Sequence, residues 1–348
     1  MKCILVTGGA GFIGSNFVKY MLRHHNYRIV NADALTYAGN LENLKDVEDH
    51  PNYVFVKADI RDREKIEEIF SLYEIDAVVN FAAESHVDRS IVEPGVFLTT
   101  NIVGTQVLLD TAKKHWKCNP ADKYCRKFKP GVKYVQISTD EVYGALSETG
   151  LFTEDMPLLP NNPYSASKAG ADLIVRAYYE TFGLPVNITR SSNNYGPFQF
   201  PEKLIPLMIN NCLNDRYLPV YGDGMQIRDW IHVDDHCSAI DAVLHGGEDG
   251  DVYNIGSNNE KANIEIVRLI IETLEKTESL IQYVKDRPGH DRRYAIDNTK
   301  IRTHLGWEPA FTFELGMLET IKWYLSNSAW IENVISGEYE KYYEIMYE

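Results

Sequence analysis

Residues 3–14 read CILVTGGAGFIG, a short apolar run followed at once by glycines at positions 8, 11 and 14. The run predicts a buried strand, and the glycines predict a tight turn that opens onto a helix. Because Gly8, Gly11 and Gly14 have no side chains, a pyrophosphate can approach the backbone amides at the positive end of that helix. This stretch therefore predicts the first strand, turn and helix of a dinucleotide-binding sheet.

A carboxylate ends the second apolar run, RIVNAD at 28–33. About twenty residues beyond a glycine-rich turn, such a carboxylate can accept hydrogen bonds from the ribose hydroxyls of adenosine and repel a 2′-phosphate. Asp33 therefore favours NAD over NADP as the cofactor.

Apolar runs of the β type alternate with helical patterns through the first half of the chain. The predicted strands are CILVT, RIVNAD, YVFVKAD, AVVNFAA, KYVQIST and VNITR. The predicted helices are 11–24, 62–73, 94–116 and 163–182. Strict alternation implies parallel pairing, so we predict an α/β fold with a doubly wound (Rossmann) parallel sheet of about seven strands.

Beyond about residue 191 the pattern is punctuated by Pro, Asn and Gly, and only a helix at 233–245 and a strand VYNIG stand out. We expect the chain to return once to the first sheet. This predicts an NAD-binding domain of 1–190 plus 231–257, and a smaller α+β C-terminal substrate domain of 191–230 plus 258–348.

Composition limits the classes of partner. The chain has 348 residues and a net charge of −15, which repels nucleic acid and anionic membranes alike. No run approaches the ~18 apolar residues of a membrane span. Five cysteines without a CxxC pair indicate reduced thiols. We expect a cytoplasmic protein with no nucleic-acid or membrane partner.

One pattern resembles a metal site. His232 and His236 stand four residues apart beside Asp234 and Asp235, a spacing that can put two nitrogen ligands on one helix face. The same stretch is typical of an amphipathic helix whose first amides Asp234 or Asp235 can cap. Because no third ligand cluster is evident, we predict no metal.

The helix after Asn162 carries a Tyr-x-x-x-Lys pair. Asn162 can cap it, Pro163 suits its first position and Gly183 suits its C-terminal turn. Tyr164 and Lys168 then project from one face, about 5 to 6 Å apart. An adjacent ammonium and a cationic nicotinamide would both stabilise the phenolate, so the tyrosine can act as a base.

Two adjacent carboxylates, Asp140 and Glu141, follow the fifth strand in STDEVYG at 138–144. Taken alone, such a pair more often caps a turn or is solvated. At the carboxyl edge of an open α/β sheet, where ligands bind, the position favours a catalytic role.

Six motifs together resemble the extended short-chain dehydrogenase/reductase superfamily and, within it, the dTDP-glucose 4,6-dehydratases, over essentially the whole chain. They are GGAGFIGSNF at 8–17, FAAESHVDRS at 81–90, STDEVYG at 138–144, YSASKAGAD at 164–172, RSSNNYGPFQFPEKLIP at 190–206 and RPGHDRRYAID at 287–297. STDEVYG and RPGHDRRY are the more specific motifs.

The resemblance implies a role for each catalytic residue. Tyr164 would start oxidation at sugar C4, and Lys168 would order the nicotinamide ribose. A C4 ketone makes the C5 proton acidic, so Glu141 would be the base at C5 and Asp140 the acid that protonates the departing water. Thr139 would hydrogen-bond the C4 oxygen. The resemblance also implies a homodimer.

The family's binding residues carry over to matching positions. The implied NAD contacts are Gly8, Gly11, Phe12, Ile13, Gly14, Asp33, Leu35, Thr36, Asp59, Ile60, Phe81, Ala82, Ala83, Ser85, Thr100, Tyr164, Lys168 and Asn194. The implied sugar-nucleotide contacts are Ser85, His86, Thr139, Asn193, Glu202, Lys203, Leu204, Pro219, Tyr221, Arg228, Asn263, Arg287, His290 and Tyr294. The guanidinium groups of Arg228 and Arg287 suit a diphosphate.

Three alternatives stay open. The substrate can be UDP- or CDP-glucose, since their diphosphates are alike. A 4-epimerase or decarboxylase of the same superfamily shares Tyr164, Lys168 and NAD but has no need for an acid and a base at C5 and C6. A catalytically silent NAD-binding regulator would need neither Tyr164 nor Glu141. The Asp140–Glu141 pair favours the dehydratase.

Overall fold

A computed structural model describes residues 2–286 and 289–334 of the chain. The strands are β1 (Cys3–Thr7), β2 (Arg28–Asp33), β3 (Tyr53–Lys57), β4 (Ala77–Asn80), β5 (Lys133–Thr139), β6 (Val186–Ser191), β7 (Asn193–Tyr195), β8 (Leu218–Tyr221), β9 (Ile227–His232), β10 (Val252–Ile255), β11 (Glu260–Ala262) and β12 (Ile281–Val284).

The α-helices are α1 (Phe12–His24), α2 (Arg63–Tyr73), α3 (Val87–Val92), α4 (Pro94–Phe97), α5 (Thr105–Trp116), α6 (Pro163–Phe182), α7 (Leu204–Leu213), α8 (Val233–Gly246), α9 (Asn263–Thr273), α10 (Thr299–Leu305), α11 (Phe313–Ser326) and α12 (Ser328–Val334). None of the helices in the described ranges is both long enough and apolar enough to cross a membrane.

Seven parallel strands form the main sheet, in the order β10-β6-β5-β4-β1-β2-β3. Helices α1 and α8 pack together in one hydrophobic core, and α2, α5 and α6 border another. Strands covered on both faces are typically near-continuous apolar runs, and all five residues of β1 are buried. The predicted doubly wound sheet is confirmed.

Helix α6 has the predicted limits. The Asn162 side chain accepts a hydrogen bond from the Ser165 amide at 2.8 Å, and Pro163 is the first helical residue. Gly183 ends the helix in the left-handed conformation, with φ of 70°. The capping residues therefore fix where Tyr164 and Lys168 lie along the helix.

The segment predicted as one helix, 94–116, is divided. A π-helical segment, Leu98–Gly104, separates α4 from α5. Within it, Asn101 donates to the Glu84 carbonyl at 3.0 Å and to Ser167 Oγ at 2.8 Å. Through these two hydrogen bonds, the π-helical segment connects the loop after β4 to helix α6.

The second half of the chain contains more regular structure than the sequence predicted. Strands β7, β9 and β11 form a three-stranded sheet, and β8 pairs with β12 in parallel. Helices α7, α9 and α11 surround a separate core. The expectation of one helix and one strand was therefore wrong. The expected return to the main sheet occurs at β10, which pairs with β6. The division into two domains stays a prediction.

Candidate active site

A cavity of about 330 Å³ lies at the carboxyl ends of the main-sheet strands. It brings together many residues that the sequence analysis placed in one site. Those that line it are Gly8, Gly11, Phe12, Ile13, Gly14, Asp33, Thr36, Asp59, Ile60, Phe81, Ala82, Ala83, Ser85, Thr100, Thr139, Asp140, Glu141, Tyr164, Lys168, Asn193, Asn194, Glu202 and Lys203.

The glycine-rich turn is packed too closely for side chains. A Cβ on Gly14 would lie 2.3 Å from the Gly8 carbonyl oxygen, and one on Gly8 would lie 2.6 Å from the Ala82 amide. Gly11 precedes α1 without a side-chain cap. The first amides of α1 therefore face the cavity free of a capping side chain, which suits a bound phosphate group.

Asp33 is held in place at the end of β2. Its Oδ2 accepts from the Ala10 amide at 2.9 Å, and its Oδ1 accepts from the Leu35 amide at 2.8 Å. Burial raises the pKa of Asp33, and the two backbone hydrogen bonds oppose that shift. Leu35 does not line the cavity and acts through its amide. These features fit the adenosine half of NAD.

Tyr164 and Lys168 are both buried on α6. Lys168 Nζ donates to the Ile137 carbonyl at 2.6 Å, and burial lowers the pKa of Lys168 to about 8. Burial raises the pKa of Tyr164 well above its usual value, the charge of Glu141 raises it further, and Thr139 opposes the shift. Without a cofactor these influences favour the neutral phenol. The predicted phenolate depends on the charge of a bound nicotinamide as well, so the role of Tyr164 as a base stays a prediction.

Asp140 and Glu141 begin the 3₁₀ turn Asp140–Tyr143 that follows β5. Thr139 Oγ1 donates to Asp140 Oδ1 and accepts from the Glu141 amide, both at 3.2 Å. Burial, and then the Glu141 charge, raise the pKa of Asp140 to about 8, while Arg228 opposes the shift. Asp140 therefore carries a proton at neutral pH and can act as an acid.

Glu141 differs from Asp140 in its surroundings. It is only partly buried, and its Oε2 accepts a long hydrogen bond of 3.4 Å from Asn162 Nδ2. Two adjacent carboxyl groups in different environments can divide the acid and base roles of one reaction.

Glu202 and Lys203 also line the cavity. Lys203 Nζ donates to the Ser85 carbonyl at 3.2 Å. Glu202 Oε2 lies 3.7 Å from both His86 Nε2 and Arg89 Nη2. Burial raises the pKa of Glu202 to about 7. His86 does not line the cavity and contacts it through Glu202.

Arg228 and Tyr294 contact one another near the two carboxylates. The Arg228 guanidinium stands 4.2 Å from the centre of the Tyr294 ring and donates to the Asp291 carbonyl at 2.9 Å. Tyr294 donates to Asp291 Oδ2 at 2.5 Å. Arg228 opposes the upward shift in the pKa of Asp140, whereas burial and then the Glu141 charge raise the pKa of Tyr294. Neither lines the cavity.

The structure does not bring the remaining predicted substrate residues to the cavity wall. Leu204 begins α7 and Asn263 begins α9. Pro219 and Tyr221 lie on β8, and His290 follows β12. Tyr221 and His290 do contact one another, with ring centres 6.1 Å apart. Arg287 lies outside the described residues.

Several cavity residues were missed. Arg61 pairs with Asp59 at 2.6 Å. Gly39 packs against Asp33, where a Cβ would lie 2.8 Å from Oδ1. Their place in the sequence could have revealed them, because each missed residue lies a few positions after the end of a strand. The missed lining residues include Tyr37, Gly39, Arg61, Glu84, Gln199 and Phe200.

His232 and His236 make structural contacts around helix α8. His236 is buried, its Nδ1 lies 2.8 Å from Asn194 Oδ1, and burial lowers its pKa to about 3. His232 Nδ1 accepts from the Asp234 amide and thereby caps α8. Asp235 instead accepts from the Ala310 and Phe311 amides. The expected cap by either aspartate was wrong because the imidazole takes that position.

A Rossmann cavity with a helical Tyr-x-x-x-Lys pair and strand-end carboxylates defines an extended short-chain dehydrogenase/reductase of the epimerase and dehydratase type. The family model described as GDP-mannose 4,6 dehydratase matches residues 5–320. The chain is 52% identical over 348 residues to the dTDP-glucose 4,6-dehydratase of Xanthomonas campestris pv. campestris, covering 97% of each chain. The chain belongs to the dTDP-glucose 4,6-dehydratase family.

Solved structures agree. The dTDP-glucose 4,6-dehydratase of Bacillus anthracis, in complex with NAD, is 53% identical with a TM-score of 0.86, over 96% of this chain and all of that one. The dTDP-glucose 4,6-dehydratase DesIV of Streptomyces venezuelae, with NAD and TYD bound, is 46% identical with a TM-score of 0.89, over 95% of this chain and 99% of that one.

Proposed function

We propose that the chain converts dTDP-glucose to dTDP-4-keto-6-deoxyglucose, with NAD as cofactor and with Tyr164, Glu141 and Asp140 as its acid and base groups. Bound NAD supplies an acceptor for the C4 hydride and returns that hydride to C6, so it is unchanged after each turnover. The activity and cofactor rest on the family to which the chain belongs. The residue roles rest on the geometry of the cavity.

Tyr164 takes the proton of the C4 hydroxyl. It would do so as the phenolate. Burial and the Glu141 charge disfavour that form, and the positive charges of Lys168 and of bound, oxidised NAD would stabilise it. Lys168, held by the Ile137 carbonyl, lies one helical turn away and orients the nicotinamide ribose. Thr139 donates a hydrogen bond to the new C4 carbonyl oxygen.

Glu141 and Asp140 then remove water across C5 and C6. The C4 ketone acidifies the C5 proton, which Glu141 accepts as the C5–C6 double bond forms. The C6 hydroxyl leaves with the proton of Asp140, which burial keeps protonated near neutral pH. After hydride reaches C6, Glu141 returns a proton to C5. The product thus has one water fewer than the substrate.

One observation supports this reaction above the alternatives: Asp140 and Glu141 line the same cavity as Tyr164 and Lys168. A 4-epimerase needs Tyr164 and Lys168, but its reaction requires no acid and base acting at neighbouring carbons. The carboxylate pair thus favours elimination.

The test is product analysis with dTDP-, UDP- and CDP-glucose, each incubated with the full chain and NAD. We expect a 4-keto-6-deoxy sugar, with kcat/KM highest for the dTDP substrate. Equal kcat/KM values would contradict the base specificity. Formation of the C4 epimer alone would contradict the reaction.

We also propose a homodimer. Helix α6 packs against the π-helical segment 98–104, and the two expose apolar side chains. Leu98 is 47% exposed, Val103 48% and Leu173 56%. Apolar residues on adjacent helices of this kind mark an interface. Light scattering should give twice the mass of one chain, and a single-chain mass would contradict the proposal.

The cytoplasmic location of the protein stays a prediction.

A further inference from the structure

Two histidines share one carboxylate at the edge of the sheet opposite the active site. His25 follows the last residue of α1, and Asp241 and His245 lie one turn apart on α8, which packs against α1. Because α1 begins at the cavity and rises about 1.5 Å per residue, His25 stands roughly 20 Å from the glycine-rich turn. The cluster therefore has no part in the dehydratase chemistry.

The ligand atoms converge. His25 Nε2 lies 3.0 Å from each Asp241 oxygen, and His245 Nδ1 lies 2.9 Å from Asp241 Oδ1. All three ligand atoms lie within 4.8 Å of one another. Bonds of about 2.0 to 2.2 Å in a tetrahedral zinc site separate ligand atoms by roughly 3.3 Å. Small side-chain shifts would thus admit a cation.

We propose that His25, Asp241 and His245 form a binding site for a divalent transition-metal ion, with Zn²⁺ as the fitting ion. Imidazole nitrogens select zinc and its neighbours over calcium or magnesium, and a water molecule would complete four-coordination. In the described ranges this is the one group of three such residues with converging ligand atoms.

An outer partner supports His245 as a ligand. The Tyr27 hydroxyl lies 3.0 Å from His245 Nε2, the ring nitrogen that faces away from Asp241. Metal-binding histidines commonly donate their second N–H to such a partner, which fixes the ring and its tautomer. His25 stacks on Tyr27 with ring centres 4.9 Å apart and an interplanar angle of 2°. The two imidazoles are therefore positioned from outside the cluster.

The alternative is that protonated histidines simply form ion pairs with Asp241. His245 Nδ1 also lies 2.9 Å from the Asp241 carbonyl oxygen, a contact that a protonated nitrogen can make. A proton and a metal ion therefore compete for this atom. Exchange of the proton for a cation would join the end of α1 to α8, and the net charge of −15 favours cation binding.

Isothermal titration calorimetry of the full chain with Zn²⁺ tests the site. The titration is run at about pH 8, where ordinary imidazoles are neutral. We expect wild type to bind one more equivalent of Zn²⁺ than His25→Gln or His245→Gln. The matched control is His24→Gln, which alters an exposed neighbour outside the cluster and should keep that equivalent. Equal stoichiometry in all four proteins would overturn the proposal.

A second measurement needs no variant. Co²⁺ bound at this site should give the wild-type protein two paramagnetically shifted imidazole N–H signals in the proton NMR spectrum, one from each histidine. A spectrum without shifted imidazole signals would overturn the proposal, since it would leave only ion pairs.

Discussion

The Asp140→Asn variant should become more stable relative to wild type as the pH rises. The Asp140 carboxyl is buried, and its pKa of about 8 in the folded state lies well above the ordinary 3.8. Between these two values the folded state holds a proton that the unfolded state has lost. Wild-type stability therefore falls with rising pH across that window, and Asp140→Asn removes the loss.

The size of the effect follows from the shift. Each pH unit inside the window costs wild type about 1.4 kcal/mol. Between pH 5 and pH 7, the variant should gain about 2 to 3 kcal/mol over wild type in free energy of unfolding.

Urea unfolding of both proteins at pH 5, 6 and 7 measures this gain. The control is Asp223→Asn, because Arg292 holds the pKa of the exposed Asp223 at about 2, so its titration lies below the tested range. A constant difference between Asp140→Asn and wild type would show that Asp140 is ionised when folded. It would then be unable to donate the proton that the elimination needs.

Three further substitutions address the other steps. Glu141→Gln should lower kcat by roughly 10²- to 10⁴-fold and abolish solvent exchange at C5 while NAD still binds; normal turnover would refute its role as base. Tyr164→Phe should suppress the NADH absorbance that appears on mixing with substrate, and an unchanged signal would refute its role in oxidation. Gly14→Ala should weaken NAD binding, because the new Cβ would lie 2.3 Å from the Gly8 carbonyl oxygen. Gly95→Ala, whose Cβ meets nothing within 4 Å, should bind NAD normally.

The main sheet was predictable because its local signals agree. Buried parallel strands are largely apolar runs, and β1 and β2 have the limits that the sequence suggested. Helix α6 was equally clear, since its cap and its terminal glycine lie at the expected residues. These signals depend on neighbours within a few residues along the chain.

The second half was less predictable for physical reasons. Helix α7 has the sequence LIPLMINNCL, and eight of its ten residues are buried, so it has no polar face to reveal a helical period. Strands β7 and β11 have three residues each, too few for an alternation to be recognised. Their existence depends on pairing with β9, which is distant along the chain.

The site divides in the same way. Residues within motifs, such as Tyr164 and Glu141, reached the cavity as expected. Burial and the Glu141 charge raise the pKa of Tyr164, and the sequence analysis included neither influence. Burial depends on the whole fold, and helical spacing alone does not reveal it.

Turnover of dTDP-glucose in heavy water tests the elimination most directly. NMR of the product should show one solvent deuterium at C5, and a C6 methyl group that carries the hydrogen which began on C4. A product with no deuterium at C5, or one epimerised at C4 that keeps its C6 hydroxyl, would contradict the account.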